Sequence, residues 1–198
     1  MTVATRQSDK RAAMARIKRD DLDAIGLLLA DHRRLRTLFR AVDAADRADH
    51  AARRALVGRA CAALKRHAAL EAEIFYPAAR AALGADGVAT LDEAAIEHRV
   101  TDGLAADLAR LPPADPRYAA TFAVLAAYVR LHMRQEENRL FATMRGAPEL
   151  RALAARLRSR AAVLAAADET PGQIEPSADA AGAFEPVLDE AVARRLAG

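Results

Sequence analysis

The sequence predicts an all-α protein: an up-down-up-down four-helix bundle with a C-terminal helical extension. Three observations carry that expectation. Apolar residues make up 53% of the 198 residues, but aromatics only 4%, and there are nine glycines. The apolar share is therefore mostly alanine and other aliphatics, and alanine favours helix more than any other residue. Four segments of about 20–33 residues repeat apolar side chains at three- and four-residue steps, the pattern of a helix with one buried face. Short links join them, so successive helices run antiparallel. No window alternates like a strand for long.

The first helix is expected from an N-cap at Asp20 or Asp21 to about residue 45. Its stripe is Ile25, Leu28, His32, Leu35, Phe39 and Val42. An Asp/Ala-rich link at 43–50 leads to a second helix over about 51–83. Its stripe reads Val57, Ala60, Leu64, His67, Glu71, Ile74 and Ala78. Pro77 should kink this helix or end its regular part, because proline lacks the N–H and its ring clashes with the carbonyl four residues back. Gly84 and Gly87 close the segment. A third helix should start at Thr90, where T-L-D-E offers a capping box with Glu93, and run to about 110. Its inward line reads Leu91, Ala95, His98, Asp102 and Ala105. L-P-P-A-D-P then breaks the chain. The fourth helix follows over about 116–145, with the stripe Phe122, Leu125, Val129, His132, Glu136 and Leu140.

Pro148 suits the first turn of a further helix to about 167. From Asp168 the chain becomes a loose acidic tail, with a last short helix expected over 186–196. The chain thus divides into a basic arm (1–19), the bundle (20–146), and a C-terminal helix with its tail (147–198). The opposite charges of the two ends suit packing on the bundle or on a neighbouring subunit. A homo-oligomer or a protein partner would engage through the C-terminal extension.

The bulk numbers narrow the function. Cys61 is the single cysteine, which excludes an internal disulfide and fits a reducing cytoplasm. No apolar run approaches the roughly 20 residues of a membrane span. The formal net charge of +3 is too mild to point to nucleic acid. The Arg-rich helix after Pro148 also lacks aromatic side chains on which bases would stack.

Every bundle stripe holds a histidine: His32, His67, His98 and His132. Two of these are followed one turn later by a carboxylate, Glu71 and Glu136. Residues four apart lie on one helix face with Cβ atoms about 5–6 Å apart, so one metal ion can be gripped by both. A buried carboxylate without a partner costs several kcal/mol, so such a group is paired or metal-bound. Four imidazoles and two carboxylates divide into two sets of two His and one carboxylate, the usual non-haem iron ligation. Thiolates are absent from the set, which argues against structural zinc. A lone core histidine is more often packed and hydrogen-bonded than a ligand; four in four helices, two with matching carboxylates, are hard to reach by coincidence. A ferritin-like site would need Glu-x-x-His, and no histidine here has a Glu three residues before it.

The order H…H-x-x-x-E…H…H-x-x-x-E, ending in H-M-R-Q-E-E-N-R-L-F, resembles the hemerythrin-like, HHE cation-binding family. The resemblance covers about 20–146. It implies a di-iron four-helix bundle with His32, His67, Glu71, His98, His132 and Glu136 as ligands. Two non-haem iron ions, joined by an oxo or hydroxo bridge, would be the cofactor. The sequence departs from the oxygen-carrying members. Their third helix offers a second histidine where Asp102 stands here, and their fourth helix uses a carboxylate five residues after its His, the place of Glu137. The pattern is closer to the branch that includes iron–sulfur-cluster repair and stress proteins. One fewer histidine leaves the iron pair less saturated, which favours peroxide, nitric oxide or redox chemistry over reversible oxygen carriage.

The remaining polar residues are given plainer roles. His50 and Asp31 are expected at the surface, and Glu97 on a solvated face. Asp102 is a candidate ligand or a hydrogen-bond partner of one, Tyr128 a candidate hydrogen bond near the metals, and Cys61 a buried inert thiol. The functional expectation is a cytoplasmic di-iron protein that binds or turns over oxygen, peroxide or nitric oxide. Its setting would be oxidative or nitrosative stress or iron handling. The alternatives are an iron- or redox-responsive sensor or scaffold without turnover, and an oxygen carrier or store.

Overall fold

The computed structural model describes residues 22–169. The basic arm, the tail from Thr170 and the short helix expected over 186–196 lie outside those residues. The described residues form helices and connecting turns: α1 (Ala24–Asp43), α2 (His50–Leu70), α3 (Tyr76–Leu83), α4 (Ala85–Arg110), α5 (Pro116–Gln135), α6 (Phe141–Met144) and α7 (Leu150–Glu169). Two π-helical segments, Glu71–Phe75 and Glu136–Leu140, join α2 to α3 and α5 to α6. The architecture is therefore four rods, α1, α2–α3, α4 and α5–α6, with α7 as a fifth. No helix among the described residues is long and apolar enough to cross a membrane.

Helix starts follow side-chain chemistry. Asp23, not Asp20 or Asp21, caps α1, accepting from the Gly26 amide at 2.8 Å. Asp49 and Asp115 do the same for α2 and α5. Each satisfies an N–H that has no partner inside its helix. The capping box at Thr90 does not form, because α4 begins five residues earlier, at Ala85. Gly84 is the whole link between α3 and α4, at φ +59°. That left-handed conformation is open to glycine at little cost, so the turn closes there and Thr90 falls inside the helix. The Thr90 hydroxyl accepts from Arg139 instead.

The first and fourth stripes bury as expected. The second keeps its phase only as far as Ile74. From the end of the π segment the buried residues are Phe75, Tyr76 and Ala79, while Ala78 is half-buried. Regular helix gives way to the π segment before Pro77 and resumes at Tyr76, so Pro77 falls in the first turn of α3; the fourth rod makes the same π turn without a proline. On α4 the expected line was wrong in part. Ala94, Thr101 and Leu108 are buried, and Ala95 and Asp102 are exposed.

Two apolar clusters fill the bundle. One, around Phe39, Leu64, Tyr118 and Phe122, lies toward the C-terminus of α1 and the start of α5. The other includes Leu28, Phe75, Leu91 and Phe141. Helix α7 belongs to this second cluster through Leu150, Leu153, Ala154 and Leu157. The histidines and carboxylates lie along each rod between the two clusters, so hydrocarbon lies above and below them.

Candidate metal centre

The six residues expected as ligands converge. His32, His67, Glu71 and Glu136 are buried, and each offers a ligand atom within 4.8 Å of the others; Glu71, His98 and His132 form a second such group. The Nε2 atoms meet in pairs, His32 with His67 at 3.1 Å and His98 with His132 at 3.2 Å. Glu71 lies between the pairs. Its Oε1 is 3.1 Å from His67 Nε2, and its Oε2 is 3.4 Å from His98 Nε2. Glu136 directs one oxygen to both pairs: Oε2 is 3.3 Å from His32 Nε2 and 3.4 Å from His132 Nε2.

The donor set fits a pair of cations. Glu71 Oε1 and Glu136 Oε2 are buried without a hydrogen-bond partner, and they are the carboxylate oxygens closest to the Nε2 atoms of His67 and His32. Orphaned buried carboxylate oxygens are costly, and a bound cation satisfies them. Without a cation, protons take its place. Burial lowers the pKa of His32, but the nearby carboxylates of Glu136 and Glu71 outweigh it and raise the group to about 10. Burial likewise opposes the charge on His132, and Glu71, Glu136 and Glu97 raise it to about 9. Burial favours the neutral form of Glu71, yet His67, His132 and His32 hold it well below the usual carboxylate range.

The sequence reading missed the residues that orient the histidines. His32 Nδ1–H donates to Glu137 Oε1 at 2.7 Å, and Arg36 grips Glu137 at 2.9 and 3.0 Å. His132 Nδ1–H donates to Glu97 Oε2 at 2.7 Å. Glu97 was expected on a solvated face; instead it reaches across to the neighbouring rod. A carboxylate on the far nitrogen fixes the tautomer and turns Nε2 toward the centre. Asp102, the candidate for that role, is exposed. A signal was available in part: Glu97 and Glu137 each stand beside a stripe residue, but sequence spacing does not say which neighbour they will meet.

Tyr128 is 42% exposed, and Tyr76 takes the place expected for it. Tyr76 Oη–H donates to Glu136 Oε1 at 2.8 Å and lies 3.4 Å from both Glu71 Oε2 and His98 Nε2. Its ring stacks on His98, with centroids 5.5 Å apart. The π turn puts it there. Tyr76 N–H bonds to the carbonyl of Glu71, five residues back, so the fifth residue returns above the first. Phe141 relates to Glu136 in the same way, and it stacks on His32 at 5.5 Å. The repeated spacing Glu-x-x-x-x-aromatic was legible, but a 3.6-residue period turns the aromatic away from the stripe. Burial, with the charges of Glu71 and Glu136, pushes the Tyr76 hydroxyl far above its ordinary pKa. It stays a neutral donor.

Tyr76→Phe keeps the ring but leaves Glu136 Oε1 without its donor. The expected loss is about 1–3 kcal/mol of metal-free stability, read as a lower urea midpoint with unchanged helix content. An unchanged midpoint would remove the hydroxyl from this account.

Of the other residues singled out, His50 is exposed at the start of α2, and Asp31 is half-buried. Cys61 is half-buried, its thiol pushed up to about 11 by burial, as an inert thiol requires.

The hemerythrin HHE cation binding domain matches residues 23–144. No curated protein matches the chain. A crystal structure of a hemerythrin HHE cation binding domain-containing protein from Mycobacterium kansasii is similar in fold. It is 23% identical, with a TM-score of 0.61, over 74% of this chain and 89% of that one.

Proposed function

Since the chain belongs to the hemerythrin HHE cation-binding domain family, we propose that it is a non-haem di-iron protein that binds or turns over oxygen, peroxide or nitric oxide. One observation carries the reading: Glu71 and Glu136 lie between two imidazole pairs, so each pair with a carboxylate makes the N,N,O set of non-haem iron. In this reading His32 and His67 would hold one ion and His98 and His132 the other, with Glu71 and Glu136 supplying the carboxylate oxygens. The ions, when bound, supply redox equivalents and open coordination positions for a small ligand.

The chain's own residues supply the rest. Glu137 and Glu97 orient two of the imidazoles. Tyr76 holds a proton at Glu136 Oε1, within reach of whatever occupies the space between the pairs. Phe75 and Phe141 meet edge to face at 5.4 Å and help keep bulk water out. Asp102 is exposed, so α4 offers one imidazole where an oxygen carrier would offer two. That favours turnover over carriage.

A second reading is an iron- or redox-responsive sensor. It draws on α7, whose Arg160 grips Glu73 of the first π segment at 2.6 and 2.9 Å. A change at Glu71 has a short path to that helix.

Protein expressed with iron should carry about two irons per chain, bound by nitrogen and oxygen, and consume peroxide or nitric oxide in the steady state. No metal, or one tight zinc per chain after iron supplementation, would refute the di-iron reading. Bound iron with no turnover would favour the sensor.

A further inference from the structure

A cleft of about 570 Å³ lies between α1, α2 and α7. Its volume is within the range of small-molecule sites, about 300–1,000 Å³. Leu28, Leu70, Leu157 and Ala161 line it with hydrocarbon. Its charged lining is Arg34, Arg66, Arg158 and Asp31, of which Arg66, Arg158 and Asp31 are engaged in other interactions. Arg34 is exposed and makes no ion pair among the described residues.

The cleft also reaches His67, the one member of the proposed ligand set in its lining. His67 is 2% exposed. Its Nε2 faces His32 and Glu71, so Nδ1 is on the ring edge away from the centre. That nitrogen is buried and has no hydrogen-bond partner. The far nitrogens of His32 and His132 each have a glutamate. At His67 the chain supplies none, and because the residue belongs to the cleft's lining, a small shift of the side chains over it would open Nδ1 to an acceptor from outside.

We propose that this cleft binds an aliphatic monocarboxylate. Its carboxylate accepts from His67 Nδ1–H and is balanced by Arg34, and its chain lies along the leucines of α1, α2 and α7. A carboxylate matches the fork of a guanidinium, and only an amphiphile uses both the charged and the apolar lining. Bound there, it gives His67 the same support that Glu137 and Glu97 give their histidines.

The donor role of Nδ1 rests on the metal reading, because a metal on Nε2 places the proton on Nδ1. The test therefore uses the full chain in iron-loaded and metal-free forms, with octanoate as the probe, octanol as its uncharged counterpart, and calorimetry as the readout. Octanoate should bind saturably with one site per chain, and more tightly to the loaded form. Arg34→Glu should weaken it at least about fivefold. Ala161→Leu, which fills the cleft on a helix that tolerates leucine, should weaken it further. Octanoate should also shift the iron absorption bands of the loaded protein, which filling the cleft with Ala161→Leu should prevent. A protein that takes up iron yet shows no saturable octanoate binding overturns the proposal. So does equal binding of octanol, or undiminished binding by both variants. A protein that takes up no iron, yet binds octanoate with the same sensitivity to Arg34→Glu, refutes the metal reading and leaves the cleft standing.

Discussion

Glu71→Gln is expected to strip metal from both halves of the centre. The amide keeps the volume of the side chain but removes a negative charge and one strong oxygen donor. Glu71 is the carboxylate whose two oxygens face opposite histidine pairs. Glu136→Gln should also lose metal, because its Oε2 serves both pairs, though its Oε1 is already committed to Tyr76. Glu137→Gln is the graded comparison. It offers the centre no donor of its own, but it holds His32, so metal affinity should fall by about 10–100-fold, with both irons retained at saturating iron. Iron stoichiometry measured side by side checks the order. If Glu137→Gln empties while Glu136→Gln keeps its full complement, the carboxylate assignment on the fourth rod is wrong. The i+5 pattern of the oxygen carriers would then hold. The metal-free variants at Glu71 and Glu136 should remain folded by circular dichroism, because each removes a buried charge rather than a packed side chain.

Metal removal should have the second large effect, and its size should depend on pH. A ligand present at 1,000 times its dissociation constant stabilises the folded state by about 4 kcal/mol, and for a chain of this size that is a fall in Tm of roughly 10 °C on chelation. The metal-free protein depends on protons instead. His32 and His132 are raised on folding, from 6.5 to about 10 and about 9. A group raised on folding stabilises fully below its unfolded value and loses that contribution as pH rises through its folded value. The metal-free protein should therefore lose stability steadily between about pH 6.5 and 10. Glu71 acts at the other end: its lowered pKa stabilises above the usual carboxylate range and is lost in acid. Metal must displace the histidine protons, so binding should release protons and tighten as pH rises. Thermal melts of loaded and chelated protein across this range, with proton release followed in weak buffer, check both signs. A gap between the two melting curves that does not widen from pH 6.5 to 9 would contradict the exchange of protons for metal.

Much of this protein was legible as a pattern of period 3.6. The stripes of α1 and α5 name the buried faces because the helix repeat places residues three and four apart on one side. The same repeat puts His32, His67, His98 and His132, with Glu71 and Glu136, in line with core leucines. Residue type then suggested metal, since buried carboxylates and imidazoles at that spacing suit a cation. The chain alone therefore determined the fold class and the six groups that meet.

The tertiary structure decided what the helical period cannot encode. Two π turns, at Glu71 and Glu136, shift the phase of everything after them. They bring Tyr76 and Phe141 inward and bury Ala79 in place of Ala78. A π turn adds one residue to the repeat, and no local propensity marks where it falls. Glu97 and Glu137 lie off their own stripes, and their roles exist only because a histidine from the adjacent rod stands 2.7 Å away. Asp102 shows the converse, since it sat on the line drawn through α4 but the helix rotated to bury Thr101 and Leu108. With alanine at so many positions, the α4 wheel has no steep apolar contrast, so packing against α5 set its rotation. Periodicity fixes which residues share a face of one helix; only the docking of helices fixes which face meets which, and there the orientation of the candidate ligands was decided.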